Sequence, residues 1–153
     1  MIHERTLILG IGNPLMGDDG AGIEAVRMLN EVKLPENITV KDAGTPGWGL
    51  VEWIKDWPSV VIVDAIQMGL EPGEWQCFDA HDVSFISNQG NLSLHDTDFA
   101  GGLALAQELN MLPEQITLYG IEPESIEPGM LLSPSISANL PGLVSNIINK
   151  ITL

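Results

Sequence analysis

Short runs of apolar residues recur along the whole chain and alternate with segments in which apolar residues follow helical spacing. Each run has the length of a buried β-strand, and turn-forming residues separate several of them from their neighbours. The pattern predicts five strands: Thr6–Ile11, Ile38–Lys41, Ser59–Val63, Glu74–Phe78 and Gln115–Ile121.

Cap signals and helical spacing predict four helices between and after these strands. The stretch from Asp79 to Leu94 shows no regular pattern. The predicted helices follow a cap at Asp18 or Asp19, run from a Thr45 cap to about Asp56, run from a cap at Asp96 or Thr97 to Asn110, and continue through Pro141 near the end of the chain.

Strands that alternate with helices predict a largely parallel sheet with helices on both faces. The link between the third and fourth strands is too short for a helical crossover, so these strands are either an antiparallel pair or separated by a loop excursion. We therefore expect an α/β fold, a three-layer α/β/α sandwich with a five-stranded, mostly parallel sheet. The 153 residues, 44% of them hydrophobic, fit a single domain spanning 1–153.

The charge balance narrows the range of partners. The chain has 21 acidic and 6 basic residues, a formal net charge of -15, and no lysine or arginine between Lys55 and Lys150. Nucleic acids and anionic membranes both require cations, and no stretch approaches the ~20 apolar residues of a membrane span. We expect neither as a partner. A metal ion, a basic protein segment or simple solubility each explains the charge.

Nucleophiles are scarce in this sequence. The single cysteine, Cys77, cannot form an intrachain disulfide, which predicts a reducing, cytoplasmic location. Its neighbours Trp75 and Phe78 favour the role of a small buried hydrophobic residue. No serine stands in a G-x-S-x-G motif, so a covalent mechanism has no evident candidate.

Two glycines, Gly10 and Gly12, end the first apolar run and resemble the start of a phosphate-binding loop. The dinucleotide motif G-x-G-x-x-G requires a third glycine where this chain has Leu15, and no Gly-Lys-Ser/Thr of a Walker A loop occurs. The glycines instead favour a tight turn that brings Asp18 and Asp19 over the edge of the sheet.

Two acids and a histidine are the strongest candidates for chemistry. Asp19 follows the first strand, Asp64 follows the third, and His95 precedes a predicted helix. If the first strand lies between the second and third, the crevice at the carboxyl ends of the strands falls between the two acids. Two carboxylates and an imidazole suit a divalent metal ion and leave open coordination positions. The alternatives are a helix cap for Asp19, a turn residue for Asp64 and a structural or solvated loop histidine.

These residues stand in five motifs whose order and spacing resemble the hydrogenase maturation endopeptidases, the proteases that trim the large subunits of nickel–iron hydrogenases. The resemblance covers essentially the whole chain. It rests on LGIGNPLMGDDGAG near the start, DAGT after the second strand, VVIVDAI at the third, SLHD before a helix and YGIEPESIEPG after the fifth.

The resemblance implies a five-stranded sheet with one antiparallel strand and a metal-binding trio on Asp19, Asp64 and His95. Many relatives carry Glu at the first of these positions, so Asp19 is one methylene shorter, and Asp18 is the second choice for that ligand. DAGT implies that Asp42, Gly44 and Thr45 handle the substrate.

The family activity is one endoproteolytic cut near the C-terminus of the hydrogenase large-subunit precursor after nickel insertion. The resemblance implies that the trio recognises nickel supplied by the substrate, and we expect a cytoplasmic monomer. Two alternatives remain. GIGNP also resembles the first-strand motif of peptidyl-tRNA hydrolases, although the basic face and the nearby histidine of that family are missing here. A chaperone that binds the nickel-loaded subunit without cutting it would use the same trio.

Overall fold

A single twisted sheet organises the part of the chain that the computed structural model describes, residues 4–82 and 97–152. The strand order is β2-β1-β3-β5-β4. β4 runs antiparallel to β5, and the other strand pairs are parallel. The strands are β1 Thr6–Ile11, β2 Ile38–Gly44, β3 Ser59–Ala65, β4 Trp75–Asp79 and β5 Gln115–Ile121.

Helices cover both faces of the sheet, because side chains alternate between the two faces along each central strand. Leu7 and Leu9 of β1 belong to the core beneath α2 and α3, whereas Ile8 belongs to the core beneath α1 and α4. The helices are α1 Ala21–Asn30, α2 Leu50–Ile54, α3 Ala100–Glu108 and α4 Pro134–Thr152, with short 3-10 helices at Gly17–Gly20, Gly47–Gly49 and Ala80–Asp82.

The predicted α/β fold, with five strands of which one is antiparallel, is confirmed. The third and fourth strands do not pair with each other: β4 pairs with β5 at the edge of the sheet, which agrees with the loop-excursion alternative. β1 lies between β2 and β3, so the crevice predicted between Asp19 and Asp64 falls at the point where the strand order reverses.

The helix caps predicted at Asp18 or Asp19, at Thr45 and at Thr97 are wrong. Gly20 precedes α1, Pro46 precedes the 3-10 turn before α2, and Phe99 precedes α3, all without a side-chain cap hydrogen bond. The carboxylates of Asp18 and Asp19 accept hydrogen bonds from other segments instead. The predicted cap at Asp96 lies outside the described residues.

Cys77 is exposed, so the prediction of a small buried residue is also wrong. It lies on β4, which is an edge strand of the sheet formed by the described residues. The Lys150 ammonium group lies 3.4 Å from its sulfur. In the described part of the chain, no helix combines the length and the apolar character needed to span a membrane.

Candidate functional site

An open cavity of about 560 Å³ lies at the carboxyl ends of β1 and β3. Three of the predicted site residues, Asp19, Asp64 and Thr45, line it. The complete lining is Asn13, Met16, Asp19, Thr45, Asp64, Ala65, Gln67, Thr97, Asp98 and Ile126.

Glycine at position 12 allows the two predicted acids to approach each other. Gly12 has φ +138°, which side chains rarely adopt, and a Cβ there would lie 1.9 Å from the Asp19 carbonyl oxygen and 3.5 Å from Asp64 Oδ1. The turn that carries Asp19 therefore packs directly against β1, beside the end of β3. The sequence predicted a tight turn at these glycines, and the structure shows that Gly12 also allows close backbone packing.

A second close approach fixes the helix that follows this turn. A Cβ on Gly22 would lie 2.2 Å from the Val63 carbonyl oxygen and 2.5 Å from the Ile11 carbonyl oxygen. α1 therefore begins directly over β1 and β3. This contact holds the start of the helix, and the acidic turn before it, at the same edge of the sheet as Asp64.

Asp64 is a buried carboxylate, 3% exposed, at the end of a central strand. Its own Oδ1 accepts a 2.8 Å hydrogen bond from the Ala65 N–H. Burial raises the pKa of Asp64 well above its ordinary value, and the negative charges of Asp19 and Asp98 raise it further against the lowering by that N–H. Such a carboxyl favours binding a proton or a cation.

Asp19 lies at the cavity wall and is partly buried. Its Oδ2 accepts a 2.9 Å hydrogen bond from the Asn13 N–H. Burial raises the pKa of Asp19, the Asn13 N–H opposes that shift, and the charge of Asp98 adds to it. The two predicted acids are therefore both held in surroundings that disfavour their negative charge.

Asp98 is a third carboxylate of the cavity that the sequence reasoning missed. It lies just before α3, and its Oδ2 accepts a 3.1 Å hydrogen bond from the Gly47 N–H. This bond joins the approach to α3 to the loop that follows β2, and α3 also packs closely here, since a Cβ on Gly102 would lie 2.6 Å from the Gly47 carbonyl oxygen. The position of Asp98 in HDTD, three residues after His95, was the available signal.

Asp18 has a different role from its neighbour. Its buried carboxylate accepts four hydrogen bonds of 2.7–3.0 Å, from the N–H groups of Glu124, Ser125 and Ser133 and from the Ser133 hydroxyl. Burial alone would raise the pKa of Asp18, but these donors together lower it below its ordinary value. The carboxylate is saturated with donors, so Asp19 is the better candidate for a ligand in the cavity.

The DAGT residues shape the loop after β2. The Asp42 Oδ1 accepts a 2.8 Å hydrogen bond from the Gly44 N–H, and the Gly44 carbonyl oxygen accepts one of the same length from the Gly12 N–H. Gly44 has φ +59°, which suits glycine. Thr45 lines the cavity, whereas Asp42 and Gly44 are not among its lining residues.

The predicted third ligand, His95, lies outside the described residues. Within 4–82 and 97–152, no three histidine, cysteine, aspartate or glutamate side chains are grouped so that they could hold a metal ion. Asp19 and Asp64 line one cavity, and their role as metal ligands with His95 stays a prediction.

Comparisons with known proteins point to one family. The family model for hydrogenase maturation protease matches residues 23–150, a range that includes Asp42, Asp64 and His95. A hydrogenase expression/formation protein, HupD of Rhizobium leguminosarum bv. viciae, is 33% identical over 146 residues, which cover 94% of this chain and 72% of that protein.

Solved structures agree with that family. The hydrogenase maturating endopeptidase HybD from Escherichia coli superposes with a TM-score of 0.82 at 25% identity and covers 97% of this chain and 92% of its own. The [NiFe] hydrogenase maturation protease HybD from Thermococcus kodakarensis has a TM-score of 0.74 at 32% identity, with 96% and 99% covered. The chain therefore belongs to the hydrogenase maturation protease family, a family of endopeptidases.

Proposed function

We propose that this protein makes one endoproteolytic cut near the C-terminus of a nickel–iron hydrogenase large-subunit precursor, and that it recognises nickel already bound in that precursor. The chain belongs to a family of maturation endopeptidases, and one solved relative is named as acting on [NiFe] hydrogenase. The observation that carries the nickel recognition is the pair of carboxylates, Asp19 and Asp64, at one cavity.

The charges around this cavity support a cationic ligand. Its described lining contains three aspartates and no lysine or arginine. Each of Asp19 and Asp64 has a raised pKa, because burial and neighbouring acids disfavour its charge. A divalent ion brought in by the precursor would relieve that repulsion, so binding would strengthen only after the precursor is loaded.

The proposed ligands are Asp19, Asp64 and His95. Two carboxylates balance the charge of a divalent ion, and an imidazole and carboxylates are ligands that first-row metals accept. Three ligands from this chain leave coordination positions for groups of the precursor. The nickel is part of the substrate in this proposal. We propose that Asp42, Gly44 and Thr45 take part in substrate binding, and of these three Thr45 lines the cavity.

The proposal also includes the domain organisation, the cellular location and the oligomeric state. The two cores pack on opposite faces of one sheet, which supports the prediction that residues 1–153 form a single domain. The cytoplasmic location predicted from the single cysteine and the monomeric state stay predictions.

The test compares a nickel-loaded precursor with the same precursor prepared without nickel. We expect wild-type protein to cut only the loaded form, and Asp64→Asn and His95→Ala to slow the cut by about 100-fold or more, because each removes a ligand of the recognised ion. The measurement is the mobility shift of the precursor on a gel, with mass spectrometry to locate the cut.

Matched controls are available within the chain. Asp56→Asn changes an exposed aspartate after α2, and His81→Ala changes an exposed histidine whose Nε2 lies near the Pro113 and Glu114 carbonyl oxygens. Both should process normally. Efficient cutting of the nickel-free precursor would contradict the nickel recognition. Tight binding of the loaded precursor without any cut would favour the chaperone function.

A further inference from the structure

Large apolar side chains are exposed in the segments that follow β1, β2 and β5, at the edge of the sheet that holds the carboxylate cavity. Leu131 is 89% exposed, Leu15 is 74% exposed and Trp48 is 73% exposed. Together with Ile126 and Met130 they form a set that we call the apolar rim. Large exposed apolar groups mark interaction surfaces when they cluster.

The distribution of these side chains over the fold is uneven. The rim residues lie in loops that follow β1, β2 and β5, at the edge where the parallel strands end. The other large apolar side chains exposed in the described residues, Val32, Leu109 and Met111, precede β2 or β5 at the edge where strands begin. The apolar exposure is therefore concentrated at the end of the sheet that carries the cavity.

The rim has two sides, because the strand order separates its loops. The Trp48 loop follows β2, the loop with Ile126, Met130 and Leu131 follows β5, and β1 and β3 lie between these strands. Ile126 lines the cavity itself, so one side of the rim continues into the wall beside the carboxylates. In strand order, the acids after β1 and at the end of β3 therefore lie between the two sets of rim residues.

Backbone contacts hold the rim in place. The Gly129 N–H donates a 2.9 Å hydrogen bond to the Leu15 carbonyl oxygen, and the Asp18 N–H donates one of the same length to the Ser125 carbonyl oxygen. On the other side, the Trp48 Nε1 would lie 3.0 Å from a Cβ on Gly101, so the indole packs over the start of α3. A surface that is already ordered before binding loses less conformational entropy when a partner binds to it.

We infer that an extended segment of the precursor polypeptide crosses the cavity and places apolar side chains against both sides of the apolar rim. The inference rests on the proposed function. An endopeptidase must hold chain on both sides of the bond it cuts, and the rim provides a surface on each side of the carboxylates. Methionine and leucine adapt to different apolar partners, and tryptophan is a common anchor at interfaces.

The charge of the chain defines the occupant further. The loop after β5 carries the exposed Glu124 and Glu127, and no lysine or arginine occurs between Lys55 and Lys150. The net charge of -15 repels acidic chains. The segment that docks on the rim is therefore apolar and free of acidic residues.

The test measures the dissociation constant and KM of a nickel-loaded large-subunit precursor with two rim variants. One is the double variant Leu15→Ser and Leu131→Ser, and the other is Trp48→Ala. We expect each to raise both constants by about tenfold, since each removes a large apolar contact. The matched control is the double variant Val32→Ser and Leu109→Ser, which makes the same kind of change at the opposite edge and should stay within about twofold of wild type.

Melting temperatures confirm that the variants are folded, and the side chains of Leu15 and Leu131 are exposed enough for serine to be tolerated. Unchanged dissociation constants in both rim variants would overturn the inference. A wild-type dimer that the rim variants convert to monomers would also overturn it, because the occupant would then be a second copy of this chain. If loaded and nickel-free precursors bind equally while the rim variants still weaken binding, the nickel recognition fails and the rim inference stands.

Discussion

Asp18 and Asp19 are adjacent in the chain, yet their carboxylates have opposite surroundings. Asp18 is fully buried and accepts four hydrogen bonds, and its pKa is below its ordinary value. Asp19 lies at the cavity with Asp64, and the pKa of each of these two is raised. A buried charge with all its hydrogen bonds made is typical of a structural role, whereas a buried charge with few donors and a raised pKa is typical of a functional site.

The two surroundings depend on each other. The donors to Asp18 come from residues 106 to 115 positions later in the chain, so this carboxylate joins the loop after β1 to the loop after β5. Both loops border the cavity, through Met16 and Ile126. Asp18 therefore holds in place the two loops that border the cavity of Asp19 and Asp64.

The substitution Asp18→Asn tests whether the hydrogen-bonded carboxylate of Asp18 stabilises the fold. The amide brings N–H groups toward a site that already contains four donors, and at least one buried donor loses its acceptor. We expect the free energy of unfolding to fall by about 3 kcal/mol, measured by urea denaturation at pH 7.

The exposed Asp56→Asn, which removes a charge without removing a buried acceptor, should leave stability within about 0.5 kcal/mol of wild type. A loss for Asp18→Asn no larger than the loss for this control would show that the hydrogen bonds contribute nothing to holding the loops together.

At Asp64 we expect the opposite effect on stability from that at Asp18. Asp64→Asn keeps an oxygen that can accept from the Ala65 N–H and removes a buried charge that lies near the charges of Asp19 and Asp98. We therefore expect the free energy of unfolding to rise by on the order of 1–3 kcal/mol, although processing is lost. The measurement is the same urea denaturation at pH 7.

Asp19→Asn serves as the comparison within the cavity and should stabilise less, because Asp19 is less buried than Asp64. A fall in stability for Asp64→Asn would mean that the ionised carboxylate is needed by the fold, and the contrast with Asp18 would disappear.

The fold was predictable because its signals are local. The bounds of β1 and β5, Thr6–Ile11 and Gln115–Ile121, agree with the predicted strands, since both strands are rich in apolar residues and most of their residues are buried. The helix starts were not predictable. A cap depends on which backbone donors lie near a side chain, and Asp18 found its donors in a distant loop rather than in the adjacent helix.

The site was predictable to the extent that strand ends determine it. Asp19 follows β1 and Asp64 lies at the end of the neighbouring parallel strand β3, so the topology brings them to one edge of the sheet once β1 lies between β2 and β3. Asp98 comes from a helix entrance, and its place at the cavity depends on how α3 packs against the Gly47 loop. No spacing rule encodes that packing. His95 stays a prediction from the motif.

The pH dependence of stability distinguishes Asp64 from Asp18, because acidification changes their contributions to the free energy of unfolding in opposite directions. The ionised Asp64 destabilises the fold fully above its raised folded-state pKa, and this penalty shrinks as pH falls below that pKa until it is gone below the unfolded-state pKa. The contribution of Asp18 is favourable above its unfolded-state pKa and is lost only as pH falls through its lowered folded-state pKa.

Between pH 7 and pH 5, we therefore expect the stability gap between wild type and Asp64→Asn to narrow, with a slope of up to about 1.4 kcal/mol per pH unit in the titrating range. The gap between wild type and Asp18→Asn should stay nearly constant over the same range, since Asp18 remains ionised in the native state. Urea denaturation of the three proteins at half-unit intervals measures both gaps under the same conditions. Two gaps that change together would show that Asp18 and Asp64 share one electrostatic environment, whereas divergence would separate the acid that joins the loops from the buried acid of the cavity.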